Sequence, residues 1–298
     1  FDLDLTGFDP DEIADLLAGA PVVTAEEAYQ QEVPDPPADP ITKPGDRIIL
    51  GNHVLVCGDA TEEGAWETLM AGETADAVWT DPPYGVSYGE KNAMLNRVAQ
   101  KGSRSGSSRI ETPIDNDSLT ADGLRDFLVA SLGLVWAACR PGAVWYVAAP
   151  AVPLHYEFAT VLRDLDVWRH TLNWVKNGMV LGRSDYHYRH EPIFYGWKQG
   201  AGHSWYGARS QTTVLEFAKP RANDLHPTMK PIALIAYCLG NSAKAGDIVL
   251  DPFSGSGSTL IACETANLKA RCLELSPAYC DVIVTRWETA TGKAAVRP

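Results

Sequence analysis

The chain has 298 residues, 45% of them hydrophobic and 21% charged, which is enough apolar content for one large α/β domain or two smaller ones. Its net charge of −13 is unevenly spread: residues 1–80 hold 18 acids and 2 bases, whereas residues 81–298 hold 20 acids and 23 bases, so an acidic leader precedes a mildly basic remainder. No run of eighteen apolar residues and no basic, apolar leader occurs, which argues against a helical membrane span or a secretory signal and predicts a cytoplasmic protein.

Residues 1–44 form the acidic, proline-rich leader. Phe8 to Ala18 predicts a short helix with Ile13, Leu16 and Leu17 on one face, and Glu32 to Pro44, with five prolines, predicts a stiff extended linker. The globular part is expected from residue 45 to the end. Arg47 to Leu50 and His53 to Val56 predict a hairpin around Gly51-Asn52, followed by Cys57-Gly58-Asp59-Ala60 and a helix from Glu62 to Met70, which Asp59 is placed to cap.

The apolar run Ala75 to Thr80 predicts a short buried strand that feeds Asp81-Pro82-Pro83-Tyr84. Two prolines fix φ and remove two backbone donors, leaving their carbonyls to be presented outward. A carboxylate on one side and an aromatic face on the other make a narrow, rigid slot suited to a flat ring that bears an exocyclic amine. A strand end with a capping aspartate is the plainer reading of the same four residues. The next segment, about 90–112, is rich in Ser and Gly and carries Lys91, Arg97, Lys101, Arg104 and Arg109, the composition of a loop that grips phosphates.

Helices are expected near Leu119–Cys139 and Pro153–Leu165, and strands at Ala143–Ala148, Leu172–Lys176 and Ile193–Trp197. The stretch of about 177–225 holds further candidates for nucleic-acid contact in Arg183, Tyr186 and Arg189. His187 and His190 lack the neighbouring acids or cysteines that would complete a metal site, so no metal is expected. The six cysteines (57, 139, 238, 263, 272 and 280) show no Cys-x-x-Cys spacing and are expected as buried thiols.

A helix over Pro231–Ser242 leads to a strand at Asp247–Asp251, then Pro252-Phe253-Ser254-Gly255-Ser256-Gly257, then a helix from about Thr259 to Asn267. Glycines at 255 and 257 let backbone approach a ligand at a strand-to-helix crevice. Leu260 stands where a dinucleotide fingerprint needs a small residue, and no lysine follows the last glycine, which disfavours nicotinamide cofactors and nucleoside triphosphates. The following strand, Lys269–Glu274, ends in an acid placed to bind both hydroxyls of a ribose. An adenosine-bearing ligand without a phosphate fits this series.

Together, Asp81-Pro82-Pro83-Tyr84, His226-Pro227-Thr228-Met229-Lys230-Pro231 and Asp251-Pro252-Phe253-Ser254-Gly255-Ser256-Gly257 resemble the amino-group DNA methyltransferases, in the permuted order of the β group, over roughly Lys43 to the C-terminus. The resemblance implies an α/β fold with a seven-stranded, mostly parallel sheet, one strand reversed and helices on both faces. It implies S-adenosylmethionine as cofactor, held by Asp59 and Ala60 near the adenine, Asp251 and Phe253 to Gly257 at the crevice, Glu274 on the ribose and Lys230 near the methionine carboxylate. Asp81, Pro82, Pro83 and Tyr84 would then act on a base flipped out of DNA.

An aspartate at the head of the tetrapeptide favours adenine N6 over cytosine N4. The insert from Lys198 to Leu225 is short for a target-recognition segment, and a short or degenerate recognition sequence is expected. The leader resembles the segment that joins an upstream ParB-like domain to such a methylase, and pairing among β-group relatives makes a homodimer compatible with the resemblance. A catalytically silent DNA-binding or partner-docking module remains the alternative of a different class; it predicts loss of Asp81 or the glycines, and all are present.

Overall fold

The computed structural model describes residues 33–84, 120–179, 185–218 and 229–297. Within them, nine strands form one sheet: β1 (Arg47–Leu50), β2 (His53–Cys57), β3 (Ala75–Thr80), β4 (Cys139–Ala148), β5 (Trp168–Val175), β6 (His190–Trp197), β7 (Val214–Glu216), β8 (Ile248–Asp251) and β9 (Lys269–Glu274). The helices are α1 (Glu63–Met70), α2 (Ala121–Ala138), α3 (His155–Asp164), α4 (Ile232–Ser242), α5 (Ser258–Thr265) and α6 (Pro277–Thr291).

The strand order is β1-β2-β9-β8-β3-β4-β6-β5-β7. Strands β2, β9, β8, β3 and β4 run parallel, β6 runs against both β4 and β5, and β1 runs against β2. The seven-stranded core with one reversed strand is therefore present from β2 to β5. Two edge strands raise the count to nine. β1 is the hairpin partner of β2, and β7 is three residues long and parallel to β5. β7 falls inside the segment expected to read DNA, which takes residues from an insert that is already short.

Alternate side chains of the strands feed two cores. Ala77 and Trp79 of β3, with Val249 and Tyr146, pack under α4, α5 and α6 through Leu234, Ile235, Leu260, Ile283 and Trp287. Val78, with Trp145 and Leu250, packs under α1, α2 and α3 through Trp66, Leu69, Leu124, Leu128, Phe158 and Leu162. A sheet covered on both faces needs near-continuous apolar strands, and β2, β4 and β8 are of that kind. The helix ends follow local chemistry: Thr120 caps α2 by accepting from the Gly123 N–H at 3.2 Å, and α6 begins at Pro277 and ends on Gly292 in the left-handed region.

The proline-rich segment before β1 is pinned at its two ends, with residues 35–41 between them exposed. Asp281 of α6 accepts from the Ile41 N–H at 2.6 Å and the Thr42 hydroxyl at 2.6 Å, and Arg297 closes the cluster on the same carboxylate at 2.7 Å. Val33 is buried as well.

At the opposite end of β2, His53 is buried; its Nε2 donates to Glu264 at 2.8 Å and its Nδ1 accepts from the Ala270 N–H at 2.9 Å. Burial holds its pKa below 6.5, against the pull of Glu264. The neutral ring is the form that fits, because a protonated Nδ1 could not accept the Ala270 bond. A histidine with a lowered folded pKa stabilises the fold above its unfolded value and loses that contribution as pH falls through the folded value. Thermal melts are therefore expected to show Tm falling below about pH 6.5, and His53→Gln should lessen the slope. An unchanged slope in the variant would contradict this assignment.

Candidate active site

Strands β3 and β8 are parallel neighbours in register, Ala77 beside Val249 and Val78 beside Leu250. Both are followed by turns, so the Asp81 turn and the glycine turn emerge side by side from the same edge of the sheet. This is also where the topology switches direction: β8 leads on to β9 on one side, and β3 to β4 on the other. Ligands of open α/β sheets settle in the crevice at such a point. Thr80 stitches the two turns together, its hydroxyl donating to Asp251 Oδ1 at 3.0 Å across 171 positions of sequence.

Asp251 is wholly internal to this junction. It also accepts from Thr259 Oγ1 at 2.5 Å and from the Phe253 N–H at 3.1 Å. Burial raises its pKa to about 6, with the Thr259, Phe253 and Thr80 bonds pulling the other way. These three bonds tie it to β3, to the glycine turn and to the first turn of α5.

The glycine turn is held at both ends. Ser254 N–H donates to Leu273 O and Ser254 Oγ to Asp251 O, each at 3.0 Å. Gly257 has φ +82, and a Cβ there would lie 2.9 Å from Ile283 of α6. Gly255 has φ +50, and a Cβ built on it meets nothing within 4 Å. Its open face is room for a ligand. Phe253 borders the turn, half-buried, with its ring 5.5 Å from that of Phe127.

Glu274 closes the far side. One oxygen accepts from the Gly255 N–H at 2.7 Å and the other from the Ser276 N–H at 2.9 Å. The end of β2 joins it through the Gly58 N–H, which donates to Glu274 O at 3.0 Å. Asp59 follows there, yet it does not cap α1: its Oδ1 accepts from both the backbone and the hydroxyl of Thr61 at 2.8 Å, a local turn. Ala60 is buried and its carbonyl accepts from the Trp66 indole at 2.9 Å.

On the other side of the crevice, Asp81 carries two unlike oxygens. Oδ2 accepts from Lys230 Nζ at 2.6 Å. Oδ1 is buried and has no partner among the described residues. Burial raises the Asp81 pKa, and the Lys230 charge opposes that rise. Pro82 is buried and Pro83 half-buried. The Tyr84 ring packs edge-on to Phe158 at 6.0 Å, and its hydroxyl lies 3.4 Å from Glu191 Oε2.

Lys230, which with its neighbours was expected near the methionine carboxylate, has its ammonium turned to Asp81. Its ammonium has three N–H groups, and they meet Asp81 Oδ2, the Tyr84 hydroxyl at 3.1 Å and Glu191 Oε2 at 3.1 Å. No donor is left over for a ligand carboxylate. Glu191 also pairs with Lys176. Burial pushes the Glu191 pKa up, but the two lysines outweigh it and hold it down at about 2.

Glu191 and Lys176 were not singled out from sequence, although a charge at the edge of each of two apolar strands was a readable signal. Arg286 was missed for the same reason. It is buried in α6 and donates to both the carbonyl and the hydroxyl of Ser256 in the glycine turn. Of the residues expected to contact nucleic acid, Lys91, Arg97, Lys101, Arg104, Arg109 and Arg183 lie outside the described residues. Tyr186 is 90% exposed, and the Arg189 guanidinium donates to Lys176 O at 2.9 Å.

Comparison with known proteins agrees with this geometry. Residues 75–285, well over half of the chain, match a family model described as DNA methylase. Residues 1–44 match one described as the ParB-methyltransferase HTH domain. The DNA adenine methyltransferase YhdJ of Escherichia coli is 24% identical over 272 residues, covering 83% of this chain and 87% of that protein. The type II methyltransferase M.Cfr9I of Citrobacter freundii is 40% identical over 81 residues, a match that spans only 27% of either chain.

Among solved structures, the cytosine-N4-specific PvuII DNA methyltransferase shares the fold with a TM-score of 0.59 at 16% identity, over 85% of this chain and 94% of that one. The M1.HpyAVI–SAM complex does so with a TM-score of 0.53 at 18% identity, over 78% of this chain and 98% of that one.

Proposed function

Since this chain belongs to the DNA methylase family, we propose that it transfers a methyl group from S-adenosylmethionine to the exocyclic N6 of an adenine flipped out of DNA. One observation carries the reading: a buried carboxylate oxygen, Asp81 Oδ1, has no partner among the described residues and sits on a turn laced to an open glycine crevice. An amine N–H is the partner that oxygen lacks.

The residues present fit the cofactor. Gly255 offers backbone with open space above it, Glu274 stands beside it at the end of β9 on the Gly255 N–H, and Asp59, Ala60 and Phe253 border the same crevice. When bound, S-adenosylmethionine supplies an electrophilic methyl group.

The protein's work is then to prepare the nucleophile. The exocyclic amine is weak because its lone pair is conjugated with the ring. Asp81 Oδ1 and the Pro82 carbonyl accept its two N–H bonds, which favours a more tetrahedral nitrogen and aims the lone pair at the crevice. Tyr84 gives the ring an aromatic neighbour. Extruding the base costs a few kcal/mol, and most of the acceleration comes from positioning and fixed electrostatics.

Cytosine N4 is the second reading, since its amine offers the same two N–H bonds, and the PvuII enzyme, cytosine-N4-specific, shares the fold. The aspartate at position 81 and the long match to an adenine methyltransferase favour adenine. Incubation with methyl-tritiated S-adenosylmethionine and duplex DNA is expected to move label into DNA. Label that stays in the donor over many enzyme equivalents would sink the enzymatic reading and leave the silent-module alternative.

A further inference from the structure

We propose that Lys230 is a positioning residue which divides the Asp81 carboxylate, occupying Oδ2 and leaving Oδ1 as the single acceptor for the target amine, and that Glu191 and Lys176 are the frame that seats it. This rests on the methyl-transfer reading and adds to it how the acceptor is oriented.

Four charges alternate in a buried row. Asp81 stands at the end of β3, Lys230 precedes α4, Glu191 is on β6, and Lys176 follows β5. The Lys230 side chain is 5% exposed and bonds to Asp81 at 2.6 Å and to Glu191 at 3.1 Å, while Glu191 in turn pairs with Lys176. The Tyr84 hydroxyl takes the third Lys230 donor. With three donors and three acceptors, the ammonium cannot rotate without losing a bond. Its backbone is restrained too, because the residue before a proline, here Pro231, is confined to extended conformations.

The row sums to zero charge, which a buried cluster requires if none of its members is to be left an unpaired ion. Removing Lys230 breaks the balance. Asp81 would then face Glu191 from β6 and Asp251 from β8 with no cation beside it, and Lys176 reaches it only through Glu191. Burial already raises the Asp81 pKa with Lys230 in place. Without that lysine the charge that opposes this rise is gone, so the carboxyl takes up its proton more readily. A protonated carboxyl is a poorer acceptor and loses the fixed choice of oxygen.

The role also separates two addresses for Lys230. As a cofactor residue it would govern donor affinity. As a positioning residue on Asp81 it governs turnover and its pH dependence.

The experiment compares the whole chain with its Lys230→Met variant, by calorimetric titration with S-adenosylmethionine and by DNA methylation rates from pH 6 to 9. The expected result is a dissociation constant within about threefold of the parent and kcat lowered about 10²-fold at pH 7. The loss should shrink as pH rises, so that the variant's pH profile lies to the alkaline side of the parent's.

A tenfold loss of cofactor affinity with kcat intact at saturation would overturn the proposal, as would a lowered kcat whose pH profile matches the parent. If Lys230→Met does not fold, the doublet K230M/E191Q, which removes one buried cation and one buried anion together, gives the same comparison with the same outcomes. A parent chain that methylates no DNA overturns the methyl-transfer reading itself, and this proposal with it.

Discussion

Asp81→Asn is expected to lower kcat about 10²–10³-fold while changing cofactor affinity by no more than a few fold. The substitution keeps shape and removes charge. Lys230 then loses the anion it holds at 2.6 Å, and the amide rotates to offer it an oxygen, which turns the NH₂ group toward the position of Oδ1. A donor now faces the donor N–H of the target amine, so the nucleophile is repelled where it was held. The proposed cofactor contacts lie on β8, β9 and the glycine turn, to which Asp81 is linked through its neighbour Thr80. Titration with S-adenosylmethionine alongside single-turnover methylation checks both halves. Full residual transfer would remove Asp81 from the chemistry.

Gly255→Val should do the reverse. At φ +50 a β-branched residue costs about 1–2 kcal/mol in backbone strain, and its side chain would fill the open space that the glycine leaves. Relief of the strain would also tug on the Gly255 N–H, which anchors Glu274 at 2.7 Å. Together these predict a cofactor dissociation constant raised about 10²-fold, with kcat at saturating cofactor lowered far less. Equilibrium binding decides it: a valine variant that binds the donor as tightly as the parent would place the cofactor elsewhere. Opposite signatures in the two variants, turnover lost in one and affinity in the other, are the pattern expected of two half-sites sharing one crevice.

Much of this was legible from residue order. The strand Ala75–Thr80 was expected and found with the same limits, because a buried apolar run bounded by Glu73 and a proline turn has little freedom. The strand Lys269–Glu274 was found as expected for similar local reasons. α5 ends at Thr265, two residues short of expectation, because Asn267 turns into the left-handed region at φ 54. β5 begins at Trp168, earlier than expected, because Arg169, His170 and Thr171 obscure its alternation. β7 had no readable pattern: Val214-Leu215-Glu216 is too short to show a period.

The site divided in the same way. Its backbone parts, two turns after two strands, carry strong local signatures in proline and glycine. Its charge frame does not. Lys176 and Glu191 meet only because β5 and β6 pair with Trp174 opposite Glu191, and Lys230 joins Glu191 from well beyond β7 in the chain. Such partners depend on strand register, which single-residue patterns do not encode. The adjacency of β3 and β8, likewise, was available only through the resemblance and not through any local feature of either strand.

The most direct test of the central claim is to digest DNA methylated by the protein to nucleosides and identify the product by mass and retention. The arrangement around Asp81 predicts methyl on an exocyclic nitrogen, with N6-methyl-2′-deoxyadenosine as the product. Methyl on a ring carbon, as in 5-methylcytosine, or no modified nucleoside at all, would contradict it.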